Sequence, residues 1–98
     1  ADLKRLVARD FPVFRDMVVA QTWGGLIDST PDIVPVISTV DALPGFVVAT
    51  GFSGHGFGIG PAAGRLAADL VTGERPIVDP QEFRLSRYRD GSNPRPHA

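Results

Sequence analysis

Between residues 51 and 61 the chain reads Gly51-Phe52-Ser53-Gly54-His55-Gly56-Phe57-Gly58-Ile59-Gly60-Pro61, with five glycines in the first ten positions. Glycines let backbone N–H groups come close to a ligand with no Cβ in the way. Pro61 suits the first turn of a helix. Beyond it Ala63, Leu66, Ala67, Leu70 and Val71 recur as one apolar helical face, Arg65 and Asp69 share the polar side, and Gly73 is a natural stop. A helix entered through such a loop points its positive dipole end and its unpaired N–H groups at whatever sits there. The loop therefore suits something flat, electron-rich or anionic.

Two common phosphate cradles are excluded. Neither Gly54-His55-Gly56-Phe57-Gly58 nor Gly56-Phe57-Gly58-Ile59-Gly60 continues as G-x-G-x-x-G, and no acidic residue follows at the interval a dinucleotide fold needs. No Gly-Lys-Ser/Thr closes the loop as in a P-loop. The plain alternative is that the glycines only make tight turns and let a helix pack closely on a strand. Five glycines interleaved with Phe52, Ser53, His55 and Phe57 favour the ligand site.

The elements that must hold this loop follow from periodicity. Leu3, Leu6, Val7, Phe11 and Phe14 recur at helical spacing, which predicts an amphipathic helix over 2–10, ended by Pro12, with a short turn over 12–16. Met17–Ile27 is rich in Val, Thr, Trp and Ile and reads as a long strand, with Gly24-Gly25 marking a bulge or a close approach. A turn over 28–32 leads to a second strand over 34–40, confined by Pro35 to an edge or a strand start. Ala42-Leu43-Pro44-Gly45 is a further turn. The continuously apolar Phe46–Thr50 is a third, short strand of the kind covered on both faces. The fold class is thus α+β: an N-terminal helix, three strands, a glycine-rich loop and a C-terminal helix, with residues 91–98 expected as a disordered tail.

Composition bounds the rest. With 98 residues the chain is one small domain or a piece of a larger one, and 11 glycines with 9 prolines leave few residues for a core. A net charge of -1 gives no reason to expect nucleic acid. The absence of cysteine excludes disulfides and thiolate metal sites, and two histidines, His55 and His97, make no polyhistidine metal site. No apolar run approaches a membrane span, so a cytoplasmic location is the default expectation. Arg84, Arg87, Arg89 and Arg95 are closely spaced but offset by Asp79, Glu82 and Asp90, and read as a solvated tail. Residue 1 is Ala, and the helical pattern begins almost at once, as in an isolated domain or a cleaved product.

Taken together, Trp23-Gly24-Gly25-Leu26, Thr30-Pro31-Asp32, Pro44-Gly45-Phe46, the glycine loop, Gly64–Leu70 and the ending Asp79-Pro80, Phe83-Arg84, Ser86-Arg87-Tyr88 resemble one family. They are similar to the C-terminal segment of the FAD-dependent D-amino-acid oxidase, glycine oxidase and sarcosine oxidase superfamily. The wording of 51–57 is nearest the sarcosine oxidase and D-amino-acid dehydrogenase branches. The resemblance implies that residues 1–90 form a flavin-contacting part of a two-domain oxidoreductase with FAD as cofactor and a small amine or amino acid as substrate, its C–N bond being oxidised. It also implies that Gly51, Phe52, Ser53, Gly54, His55, Gly56, Phe57, Gly58 and Ile59 run beside the isoalloxazine. The helix over 60–72 would then aim its N-terminus at the N1–C2=O edge, His55 would contact the substrate side, and 17–27 would be a substrate-domain strand facing the ring.

The departures from that family pattern are specific. Gly58 stands where sarcosine oxidases often carry Lys, and Leu26, Ile27 and Asp28 stand where many relatives place Arg, so no cationic clamp for a carboxylate is visible. The dinucleotide fingerprint is missing. The site is therefore expected to need an N-terminal FAD-binding region or a partner subunit, and the chain to be inactive alone. Trp23, Phe52 and Phe57 are expected to form an apolar patch, through which an isolated chain could dimerise. The competing expectation is a self-sufficient small ligand- or protein-binding module without catalysis, using the glycine loop for a ligand or peptide and the strand over 17–27 as an edge for partner pairing.

Overall fold

The computed structural model describes residues 2–96; Ala1, His97 and Ala98 lie outside it, and with them the chain's first residue and the end of the expected tail. Helix α1 spans Asp2–Asp10 and helix α2 Gly56–Thr72; between them strands β1, Val36–Val40, and β2, Leu43–Thr50, form a two-stranded antiparallel sheet. Single 3-10 turns occur at Pro12–Phe14, Pro80–Phe83 and Leu85–Tyr88. The architecture is a small α+β one.

The hairpin is built as its residues dictate. Val36, Ile37, Ser38 and Thr39 pair with Thr50, Ala49, Val48 and Val47; the register then breaks, and Val40 pairs with Leu43. Residues 44–46 fall outside the ladder, where Pro44 has no N–H to donate and Gly45 takes φ +86. The tight turn accordingly sits at Asp41-Ala42, earlier than the expected 42–45. Val36 and Ile37 are buried, but β2 is half-buried at best and not covered on both faces as expected, because α2 and the C-terminal turns cover only part of a two-stranded sheet. The core is Ile37, Ala63 and Leu66, with Phe52, Ala67, Leu70 and Phe83 against it.

The expected strand over 17–27 does not form. A strand needs a neighbour for its N–H and C=O groups, and none of the described elements lies alongside; residues 18–29 are exposed, and Gly24 and Gly25 have nothing within 4 Å of the place a Cβ would take. What remains of the pairing is one antiparallel bridge, Ser29 to Phe52. Three strands become two. Helix α1 buries no residue and is followed by an edge-on pair of Phe11 and Phe14, with ring centroids 6.4 Å apart. Residues 2–27 thus form an arm, and the radius of gyration is 18.4 Å, against about 13 Å for a compact chain of this length.

Helix α2 begins earlier than its proline suggested. Its first residue is Gly56 and its N-cap is His55, so Pro61 lies inside the helix. The end is as expected: Gly73 takes the left-handed conformation (φ 73) and its N–H donates to the Asp69 carbonyl, as does that of Glu74 at 3.0 Å. The Asp69 side chain is buried, accepting from Arg65 Nε at 3.1 Å and from the Ile77 N–H at 3.2 Å. It staples the returning chain to the helix. We expect Asp69→Ala to cost about 1–2 kcal/mol in chemical denaturation, chiefly through the orphaned Ile77 N–H; an unchanged midpoint would show that water replaces the carboxylate.

Candidate flavin-edge site

The glycine loop is two devices joined end to end. Its first half is anchored. Gly51 is buried at φ +72, and a Cβ there would overlap Thr30 Cγ2. Ser53, itself at φ 55, donates its N–H to the Asp28 carbonyl at 3.0 Å; its Oγ accepts the Thr30 N–H at 3.1 Å and donates to the Gly51 carbonyl at 3.1 Å. Thr50 Oγ1 adds a bond to the Asp28 carboxylate at 2.9 Å. A residue with a side chain in the left-handed region is unfavourable, and these bonds hold it there.

The second half is open. The His55 N–H donates to the Phe52 carbonyl at 2.9 Å, and its carbonyl accepts from Gly58 and Ile59, both at 3.1 Å, which starts α2. The His55 side chain does not cap the helix, so the first N–H groups are left to solvent or a ligand. Gly54, His55, Gly56, Phe57 and Gly58 are all exposed, and a Cβ at Gly58 or Gly60 would meet nothing within 4 Å. Trp23 (84% exposed) and Phe57 are uncovered as expected, whereas Phe52 packs on the core. Of the nine loop residues proposed to line the flavin, Gly51 and Ser53 are tied into the fold, Phe52 and Ile59 are half-buried, and 54–58 present a free surface.

Sequence reasoning missed a buried ion pair that joins the 30–34 turn to the C-terminal turns. Arg87, expected in a solvated tail, is 3% exposed and makes a bidentate pair with Asp32, which is 4% exposed: Nε to Oδ2 at 2.8 Å and Nη2 to Oδ1 at 3.1 Å. Nη2 also donates to the Val34 carbonyl at 2.7 Å and Nη1 to the Arg84 carbonyl at 2.9 Å. Tyr88 donates to Asp32 Oδ1 at 2.7 Å, and the guanidinium lies over its ring, 4.4 Å from the centroid. Burial alone would raise the Asp32 carboxyl, but the hydrogen bonds from Arg87 and Tyr88 outweigh it and hold the group well below the usual carboxylate range. Burial likewise opposes the Arg87 charge, and Asp32 more than restores it. Arg84 is half-buried too, paired with Asp90 at 2.7 Å; Ser92 and Arg84 together hold the Asp90 carboxyl at about 2. The only signals were the Thr30-Pro31-Asp32 turn and the Ser86-Arg87-Tyr88 ending, which nothing in their spacing brings together.

Residues 1–70 match the family described as FAD dependent oxidoreductase, DAO. The chain belongs to this family. Glycine oxidase of Pseudomonas aeruginosa is 35% identical over 81 residues, 83% of this chain and 22% of that protein. N-methyl-L-tryptophan oxidase of Salmonella typhi is 43% identical over 61 residues, 62% of this chain and 16% of that protein. Among solved structures, L-amino acid deaminase from Proteus myxofaciens in complex with anthranilate superposes with a TM-score of 0.74 at 36% identity, over 91% of this chain and 20% of that one. The chain therefore spans about a fifth of the length of the relatives it matches.

FAD is the cofactor of the DAO family. The glycine loop and the start of α2 fit one part of it. A flat ring edge suits a surface of exposed backbone N–H groups at a helix start, with no Cβ at Gly54, Gly56 or Gly58 and apolar Phe57 beside it. Nothing in the loop suits the pyrophosphate and adenosine half. Among the described residues no cluster of three or more His, Asp or Glu side chains could hold a metal ion, and no helix is long and apolar enough to cross a membrane.

Proposed function

We propose that this chain supplies the flavin-edge loop and helix N-terminus of an FAD-dependent oxidoreductase that oxidises the C–N bond of an amine or amino acid. It does so as part of a two-domain fold completed by a longer polypeptide or a partner subunit, in a cytoplasmic setting. The observation that carries the proposal is the uncapped start of the 17-residue α2 behind an exposed turn with glycine at 54, 56 and 58, in a chain of the DAO family. Bound there, FAD would supply the acceptor for the two electrons and hydrogen leaving the C–N bond, giving an imine that water hydrolyses.

The chain's own residues act by position. The N–H groups of Gly56 and Phe57 and the dipole of α2 place partial positive charge where negative charge develops at the ring edge, with no reorganisation needed. Phe57 and Trp23 keep water from that edge once the remaining surface is covered. His55, exposed at the helix start, is the candidate substrate-side contact. The uncovered apolar arm and the three-residue core favour this partnered reading over a self-sufficient binding module.

The test is the visible absorbance of the purified chain with added FAD, beside that of a longer parent polypeptide. A yellow parent and a colourless 98-residue chain support the proposal, and a colourless parent overturns it. A sharper version uses Gly58→Ala in the parent. The substitution should leave stability unchanged or raise it by up to about 1 kcal/mol, since the position is helical and open. FAD affinity measured by flavin fluorescence should nevertheless fall by about tenfold, because the methyl group intrudes between backbone and ring; unchanged affinity would remove 58 from the site.

A further inference from the structure

The structure connects its C-terminal end to the glycine loop by a continuous chain of hydrogen bonds, and nothing in the flavin-edge reading requires one. From Arg87 the path runs to the Asp32 carboxylate and to the Val34 carbonyl. Asp32 also accepts the Val34 N–H at 3.2 Å, and Thr30 Oγ1 donates to the Val34 carbonyl at 2.8 Å. The Thr30 N–H then reaches Ser53 Oγ, and Thr30 Cγ2 fills the space beside Gly51 that admits no Cβ. The turn between the two ends contains Ile33 at φ 62, a β-branched residue in a region it rarely occupies. Such a conformation persists only where surrounding bonds over-determine it. Here those bonds are the Ile33 N–H to the Thr30 carbonyl at 3.1 Å, Thr30 Oγ1 to the Val34 carbonyl, and the ones Asp32 and Arg87 make to Val34.

We infer that Arg87 is a positioning residue for the flavin-edge loop: through Asp32 and Thr30 it sets the conformation of Gly51–Ser53, and hence where the following turn presents its N–H groups. The inference rests on the flavin-edge reading for its functional meaning, but the mechanical link can be measured without flavin. A buried pair of this kind need add nothing to stability compared with apolar residues of the same volume. What the pair does impose is a fixed register between two segments 55 residues apart.

The experiment uses the parent polypeptide carrying Arg87→Lys, the paired change Asp32→Asn with Arg87→Met, and Arg84→Met as a control. Arg84 lies in the same C-terminal segment and holds an ion pair of its own, a partly exposed one with Asp90, but its side chain has no bond to Asp32, Val34 or Thr30. Amide exchange at Thr30 and Ser53 is expected to quicken at least about tenfold in the paired variant, and by less in Arg87→Lys, which keeps the charge but loses the bidentate fork. Exchange at Leu66 in α2 should stay as in the wild type. With FAD bound, the flavin absorbance maxima and midpoint potential should shift in the paired variant and not in Arg84→Met, whatever each does to melting temperature.

Exchange at Thr30 and Ser53 that matches the wild type in the paired variant overturns the inference. So does a flavin shift of equal size in Arg84→Met, which would mark general loosening. If the exchange changes appear but the wild-type parent binds no FAD, the link from Arg87 to the loop stands and the flavin-edge reading falls. If FAD binds and neither exchange nor spectrum responds to the paired variant, the reading stands and the link falls.

Discussion

Replacing Asp32 by Ala should cost about 3–5 kcal/mol, because it leaves the Arg87 guanidinium buried without its counter-charge. Few single changes elsewhere in the chain could match that. The remaining partners, the Val34 and Arg84 carbonyls and the Tyr88 hydroxyl, carry only partial charge. A small domain has of order 5–15 kcal/mol in total, so the variant should be largely unfolded in mild denaturant, as read by circular dichroism. The same pair fixes a pH dependence. The Asp32 carboxyl is held below its ordinary 3.8 in the folded chain, so its contribution is fully present above about pH 5 and is lost as pH falls through the folded value. Wild-type stability should therefore drop steeply below about pH 4. In Asp32→Asn the drop should be shallower, starting from a lower plateau. A parallel drop in both proteins would assign the acid sensitivity to other carboxylates.

Gly51→Ala is the second change with a large expected effect. The φ of +72 disfavours any residue with a Cβ, by about 1–2 kcal/mol, and the methyl would also have to displace Thr30, which typically costs about 1–3 kcal/mol. The substitution should lower the denaturation midpoint accordingly and, in the longer polypeptide proposed above, weaken FAD binding at the same time, since Thr30 also holds Ser53. Gly58→Ala provides the contrast: the same chemical change a few residues on, with no clash to relieve. A Gly51→Ala protein as stable as the wild type would show that the 28–30 segment can move away, and that the loop is less firmly tied than its bonds indicate.

These contrasts show what could be read from the residues alone. The α2 face of Ala63, Leu66 and Leu70, its stop at Gly73 and the hairpin following Pro35 all rest on local pattern, and all formed. The strand over 17–27 had equally good local pattern but lacked a partner to pair with, and pairing is not a local property. The start of α2 was misplaced because Pro61 is best accommodated at a first helical position, a preference the preceding turn overrides here. Within the candidate site, glycine density marked 51–59 as an unusual backbone, and Gly51, Ser53 and Gly54 take positive φ there. It could not separate Gly51, which must be glycine because of Thr30, from Gly58, which faces open space. Arg87 was lost among neighbouring arginines because only the folded chain brings it to Asp32.

The entry of α2 has a further consequence. Its first six residues include Gly56, Gly58, Gly60 and Pro61, and Pro61 can give no N–H to the Phe57 carbonyl four residues before it. Each glycine weakens a helix by roughly 1 kcal/mol relative to alanine, so this turn is the least self-sufficient part of the element. The eleven residues from Ala62 to Thr72 can keep their hydrogen bonds while the turn ahead of them frays and re-forms. The surface proposed for the flavin edge is therefore also the part of α2 with the least intrinsic order, and a ligand that settles it must repay the entropy of doing so.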